Sequence, residues 1–214
     1  MLLKPAIVTG HLIGGLLTFS LLFWLWLRTR QAIESAGSSL KVPVKRPTYG
    51  LQWFARLALL VVGFQIALGG WTSTNYAALA CPDFPTCQEQ WVPRVNFADA
   101  FHVVRELGKT AQGDMIDLPA LTAIHLSHRL GAVLVLMIVG LVAFFCFRQE
   151  VATREARWLL LMLALQWALG ISNVVFDLPL WVAVGHTGGA VVLLALTLLL
   201  NFRLQALSQV HQGG

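Results

Sequence analysis

Five long apolar segments, at residues 5–27, 52–75, 119–147, 157–176 and 179–202, constrain this chain more than any other feature. Each is long enough to cross a hydrocarbon core about 30 Å thick at about 1.5 Å per residue. Lipid offers the backbone no hydrogen bonds, so such segments span as helices. Composition agrees. Hydrophobic residues make up 57% and charged residues 12%, whereas a soluble domain carries about 25% charged residues. The expected fold is an all-α transmembrane helix bundle of about five spans. The net charge of +5 does not imply nucleic acid here, because basic residues of membrane proteins collect in cytoplasmic loops. The first segment ends in Arg28-Thr29-Arg30 with no small-residue cleavage site beyond it. It reads as a span rather than a signal peptide.

Charge sets the expected orientation. The connection between the first two segments holds Arg28, Arg30, Lys41, Lys45 and Arg46. The one between the third and fourth holds Arg148, Arg154 and Arg157, and Arg203 follows the fifth. The opposite side has Lys4, with Arg94, Arg105 and Lys109 spread over a long loop. The N-terminus and the loop 76–118 are therefore expected outside, and the C-terminus in the cytoplasm. Trp24, Trp26, Trp53 and Trp158 fall near the inner ends, Trp71 and Trp181 near the outer ends, as an interfacial belt requires. Trp167 lies deeper and reads as packing.

The loop 76–118 is too long for a simple connector. It carries Cys81-Pro82-Asp83-Phe84-Pro85-Thr86-Cys87. Outside a bacterial inner membrane such a pair oxidises; two free thiols near a helix end are the alternative. Cys146, at the inner end of the third segment, is expected to stay reduced. Asn96 is placed to cap a helix with Asp99 in its first turn, Phe97, Phe101, Val104 and Leu107 on one face and Gly108 at its end. That pattern reads as an amphipathic helix on the outer membrane surface.

Short repeats run through the segments. Gly10-His11-Leu12-Ile13-Gly14 in the first matches Gly185-His186-Thr187-Gly188-Gly189 in the fifth. Gln65-Ile66-Ala67-Leu68-Gly69 in the second matches Gln166-Trp167-Ala168-Leu169-Gly170 in the fourth. The last four segments thus read as one four-helix unit, and the first as the final helix of a preceding one. Convergent small-residue packing is the alternative.

Of six histidines, His102 and His211 read as solvated. His11, His125, His128 and His186 fall within spans, where ionisable side chains are rare and usually functional. His11 lies roughly 9 Å below the outer end of its segment, His128 roughly 13 Å and His186 roughly 10 Å. Two imidazoles at one level on facing helices can take both axial positions of a haem iron. Gly131, Gly188 and Gly189 would admit a flat macrocycle, and Arg129 could balance its propionates. Each histidine hydrogen-bonding a neighbouring helix is the alternative. Zinc fits less well, because no closed Cys/His set is present.

At these residues the chain resembles the haem A synthase family of integral membrane proteins, in its proteobacterial and mitochondrial branch. The resemblance rests on Gly69-Gly70-Trp71-Thr72-Ser73-Thr74-Asn75-Tyr76-Ala77-Ala78-Leu79-Ala80, on the cysteine loop, on Ala123-Ile124-His125-Leu126-Ser127-His128-Arg129-Leu130-Gly131-Ala132, and on His186. It implies eight helices in two pseudo-symmetric halves, and oxidation of the C8 methyl of haem O to a formyl group by successive hydroxylations. It further implies that His128 and His186 ligate the iron of a haem b cofactor, that His11 belongs to the substrate haem, and that Cys81 and Cys87 are the family's outer-loop pair. The family's Glu-x-x-His-Arg has its nearest match in His125-x-x-His128-Arg129, with histidine in the place of the catalytic glutamate. No catalytic residue is therefore assigned.

The expected organisation is 1–28 as the last helix of an incomplete N-terminal half, 29–50 as a cytoplasmic linker, and 51–214 as a four-helix haem b-binding half. On that reading the chain alone makes little haem A. The expected partners are membrane lipid, haem O, a haem O synthase, and the rest of an N-terminal half or another copy of the chain. A b-type cytochrome that transfers electrons without oxidising haem is the alternative function.

Overall fold

The computed structural model describes residues 4–36 and 45–209. His211, Lys41 and the middle of the 29–50 connection lie outside the described residues. Six helices follow one another: α1 Pro5–Ala36, α2 Tyr49–Thr74, α3 Phe97–Ala100, α4 Leu118–Gln149, α5 Thr153–Val175 and α6 Leu180–Gln209. All but α3 are long and apolar enough to cross a membrane. The five expected spans are present, with longer ends. In particular, α1 runs on through residues 29–36, which the sequence reading placed in the linker.

Local chemistry sets the helix ends. Thr48 caps α2 by accepting from the Leu51 amide at 3.3 Å. The Gln149 side chain then joins the end of α4 to this cap, accepting from the Thr48 amide at 2.9 Å and donating to its hydroxyl at 3.0 Å. Asp117 caps α4 by accepting from the Ala120 amide at 2.9 Å. Glu150 and Ala152 both adopt left-handed backbone (φ 54° and 47°), which reverses the chain between α4 and α5 within three residues. Asp177 and Leu178 (φ 54° and 60°) do the same between α5 and α6, just before Pro179.

Four helices form a ring. α2 packs on α4, α4 on α5, α5 on α6, and α6 back on α2. The diagonal helices α4 and α6 have no pair of Cα atoms within 8 Å. α1 lies outside the ring against α2 and α6, with Leu17, Leu21, Leu22 and Leu25 exposed on its other side.

Two apolar cores occupy the ring at different heights. The larger fills the half away from the 76–118 loop and includes Ala55, Ala58, Val62, Val139, Val142, Ala143, Cys146, Leu159, Leu163 and Leu193. Trp167 packs against it, as expected. The smaller lies beneath the loop and comprises Trp71, Ala77, Ala100, Ala120, Ala123 and Ile124. Between them sits a layer rich in polar side chains and glycine.

Two expectations about the outer region need correction. Asn96 does cap a helix, accepting from the Asp99 amide at 3.3 Å, but α3 is a single turn rather than an amphipathic helix reaching Gly108. The Ala100 carbonyl, which a helix continued to Gly108 would give to the Val104 amide, accepts instead from the Trp71 indole N–H at 2.9 Å. Arg105 then turns inward, donating to Asn75 Oδ1 at 2.5 Å and to the Lys109 carbonyl at 3.0 Å. Trp71 is thereby buried (8% exposed) and does not belong to an interfacial belt. Trp26, Trp53, Trp158 and Trp181 remain exposed.

Replacing Trp71 with Phe should keep the bulk and strand the Ala100 carbonyl, at a cost of about 1–3 kcal/mol. Proteolysis of detergent-solubilised protein should then speed up within residues 101–116 and leave the spans intact. An unchanged cleavage rate would show that the indole bond does not hold this loop.

Candidate functional site

The polar layer is built from two similar helix pairs. In the first, α2 supplies Gln65 and Gly69, and α4 supplies His128 and Gly131. In the second, α5 supplies Gln166 and Gly170, and α6 supplies His186 and Gly189. The contacts match. A Cβ on Gly69 would stand 3.1 Å from His128 Cε1, and one on Gly170 would stand 3.3 Å from His186 Cε1. A Cβ on Gly131 would run into the Gln65 amide, and one on Gly189 into the Gln166 amide. Each imidazole lies on a glycine of the neighbouring helix, and each amide lies on a glycine three residues beyond the histidine.

His128 and His186 therefore point from diagonal helices toward the middle of the ring. Their ring centroids are 6.4 Å apart and the ring planes are nearly perpendicular, at 88°. A metal–imidazole bond is about 2 Å long and the centroid lies roughly 1 Å behind the ligating nitrogen, so two imidazoles on opposite sides of one metal have centroids about 6 Å apart. The spacing suits bis-imidazole ligation. Both residues are partly exposed although they lie inside the bundle, with His186 Nδ1 itself buried. Three atoms in the layer are buried without a hydrogen-bond partner: Gln65 Oε1, Gln166 Nε2 and His186 Nδ1. Orphaned polar atoms around an accessible histidine pair fit an absent ligand better than a finished core.

The other candidates are placed differently. His125 is 5% exposed and lies beneath the cysteine loop. Its Nδ1 faces the Cys81 amide at 3.3 Å, and its Nε2 faces Arg129 Nε at 3.3 Å. A neutral imidazole accepts at one nitrogen only, so these two bonds alternate. Arg129 is held by the loop: its guanidinium donates to the carbonyls of Thr86 at 2.8 Å, Asp83 at 2.8 Å and Cys81 at 3.0 Å. In this structure the expected propionate partner is thus a clamp on the loop. His11 is exposed on α1, apart from the paired histidines, and His102 is exposed in the outer loop. Gly188 faces open space, whereas Gly131 and Gly189 make room for glutamines.

Cys81 and Cys87 form a disulfide, and Cys146 is buried and free. The loop between the paired cysteines is organised around Asp83, which accepts from the Thr86 hydroxyl, the Gln88 amide at 2.5 Å and the Glu89 amide at 3.0 Å. The Thr86 bond, followed by these amides, holds the Asp83 carboxyl below its ordinary value of 3.8. Gln88 seats the loop on α4 by donating to Thr122 Oγ1 at 2.9 Å.

Comparison with known proteins gives this geometry a context. Residues 1–198 match the COX15-CtaA family, described as cytochrome oxidase assembly protein. The chain belongs to this family. It is 38% identical over 203 residues to a heme A synthase of Shewanella oneidensis, covering 94% of this chain and 59% of that protein. It is 28% identical to a heme A synthase of Beijerinckia indica, over 93% of this chain and 51% of the relative. A third relative, heme A synthase COX15 of Arabidopsis thaliana, is 25% identical over 94% of this chain and 42% of its own length. The chain spans about half the length of the curated relatives it matches. With five apolar helices in a family of this kind, it is a multi-pass membrane protein.

Sequence reasoning identified the paired histidines and missed Gln65 and Gln166 as members of the site. The signal was present in the repeated Gln-x-Ala-Leu-Gly, which was read as a relation between helices and not as a side-chain contact with the histidines.

Replacing Arg129 with Leu should release the three loop carbonyls. Reduction of the Cys81–Cys87 disulfide by an impermeant phosphine should then run several-fold faster, with Cys146 still unlabelled until the protein is unfolded. An unchanged rate would remove Arg129 as the loop's clamp. Acid should act in the same direction. A lowered carboxyl pKa contributes stability above about pH 3.8 that is lost as the pH falls through the folded-state value. Reduction should accelerate across that range in the parent protein, and less in Asp83→Asn.

Proposed function

We propose that this chain serves haem A biosynthesis as the haem b-holding part of a haem A synthase-type oxidoreductase, one that oxidises the C8 methyl of haem O to a formyl group. The observation that carries the reading is the His128–His186 pair, 6.4 Å apart on diagonal helices of one ring. Family membership and the names of the relatives support it. On this reading His128 and His186 would hold the iron of haem b, and the glycines beneath the rings would let both helices come close enough for that. A haem b held there would supply one-electron redox chemistry.

The chain's other residues have supporting parts. The loop closed by the disulfide covers the layer on one side, with Arg129 tying it to the helix that carries His128. His125, sequestered under that loop, is not placed to serve as an acid toward a substrate. His11, exposed on α1, is assigned to the substrate haem, on the side of the bundle that α1 shares with lipid or a partner. The distribution of basic residues supports an N-terminus outside and a C-terminus in the cytoplasm of a bacterial inner membrane on this reading.

His128→Ala and His186→Ala should each abolish the bis-histidine absorption spectrum of the purified protein, while His125→Ala retains it. A spectrum that survives both of the first two changes rejects the ligand pair. For the biosynthetic role, the gene for this chain should be deleted from its host and the pigments extracted. Loss of haem A with accumulation of haem O is expected. Normal haem A together with loss of a b-type signal would instead identify an electron-transfer cytochrome.

A further inference from the structure

Resting on the haem-holding reading above, we propose that Gln65 and Gln166 are positioning residues that hold the two axial histidines through their Nδ1 atoms and turn Nε2 of each ring toward the iron. The Gln65 amide lies 3.0 Å from His128 Nδ1 and 2.9 Å from the His128 carbonyl. Across the ring, His186 Nδ1 and the Gln166 amide nitrogen are both buried and unpartnered. The two glutamines occupy equivalent places: each precedes by four residues the glycine under its histidine, and each amide fills the space left by the glycine three residues past that histidine. Such a repeated contact is costly to retain for packing alone, because it leaves polar atoms orphaned in an apolar bundle.

An imidazole that binds a metal through Nε2 keeps its proton on Nδ1, and that N–H needs an acceptor. The amide oxygen of a glutamine can be one. In the structure the Gln65 amide presents its nitrogen to Nδ1 and leaves Oε1 without a partner. A half-turn of the amide exchanges the two ends, and it gives up the Gln65 Nε2 bond to the His128 carbonyl, a loss that ligation of the iron would have to offset. Oε1 then accepts from Nδ1–H, and the Nε2 lone pair is free for the iron. The Gln166 amide does not bond His186 Nδ1 in the structure; turning its Oε1 to Nδ1 would satisfy that atom in the same way. An accepting oxygen also makes the ligand more basic, which favours ferric over ferrous iron.

The test uses the full chain purified with its haem and compares Gln65→Leu, Gln166→Leu, Gln65→Glu and Gln166→Glu with the parent. Loss of the acceptor in the Leu variants should weaken haem retention by about 10-fold or more and raise the midpoint potential. The Glu variants keep an oxygen and remove the donor. They should retain haem like the parent, with a potential no higher. Histidine 15N spectra of haem-free protein should shift the tautomer balance of His128 in Gln65→Leu and of His186 in Gln166→Leu, which a packing role would not do. Parent-like potential, retention and 15N spectra in the Leu variants would overturn the inference and leave the haem reading standing. Glu variants that fail as the Leu variants do would also overturn it, because the amide would then act through its nitrogen. A parent protein without a bis-histidine spectrum would remove the haem reading and this inference with it.

Discussion

Lipid supplies no hydrogen bonds, so each polar group placed between membrane-spanning helices has to be answered from within the bundle. That constraint organises this molecule. Its apolar faces pack with small residues, and Ala55, Ala58, Ala143 and Ala156 are almost wholly buried. The polar side chains that do enter the ring mostly serve as ties. Asn201 donates at 2.9 Å to the Ala55 carbonyl of α2, and Thr197 donates to the Leu193 carbonyl within its own helix. The layer of Gln65, His128, Gln166 and His186 is less completely answered. It lies between two filled cores and holds three of the buried side-chain atoms without a partner, Gln65 Oε1, Gln166 Nε2 and His186 Nδ1; Asn173 Oδ1, Arg105 Nε and Thr110 Oγ1 are the others among the described residues.

The two cores explain how such a layer can be kept. Burial of aliphatic side chains contributes roughly 25 cal/mol per Å², and the larger core joins all four ring helices below the layer. Above it, Trp71 ties α2 to α3, and the cysteine loop is pinned to α4 by Arg129, His125 and Gln88. The helices are thus fixed on both sides of the layer. Between those fixed points the glycines set how closely the backbones approach the rings, at Gly69 and Gly170 above all.

Much of this was legible in the sequence because the membrane simplifies the code. Spans follow from length and hydropathy, and all five were found to within a few residues at most ends. The exceptions are the ends of α1 and α6 away from the 76–118 loop, where α1 runs on to Ala36 and α6 to Gln209 past the apolar runs. Depth put His11, His128 and His186 at similar levels; that His128 and His186 belong together came from the family resemblance, and in the structure these two rings face each other. What sequence could not supply is which helices are neighbours and which are diagonal. The relation of Gln65 to His128, or of Gln166 to His186, depends on that. The outer loop was the least legible part. The periodicity of Phe97, Phe101 and Val104 is helical, yet the helix ends after one turn and the Ala100 carbonyl is used in a tertiary bond to Trp71. Arg129 has a contact that the sequence did not reveal: the loop folded over it offers its guanidinium three carbonyls.

The repeat deserves a physical reading of its own. It pairs α2 with α4 and α5 with α6, so the two histidines are related by an approximate two-fold relation through the middle of the layer. A flat ligand ligated at its centre presents two equivalent faces, and a two-fold site meets each with the same chemistry. Departures from the symmetry should then mark where the two faces differ in use. They are concentrated on α4: Arg129 follows His128, and His125 precedes it, whereas Thr187 and Ala183 hold those positions around His186. Both of the α4 residues serve the disulfide loop. Much of the asymmetry of the layer therefore comes from the structure that covers one side of it, while the glycines under the two imidazoles and the two amides repeat on both sides; the glutamine–histidine bond itself is made on the α2–α4 side.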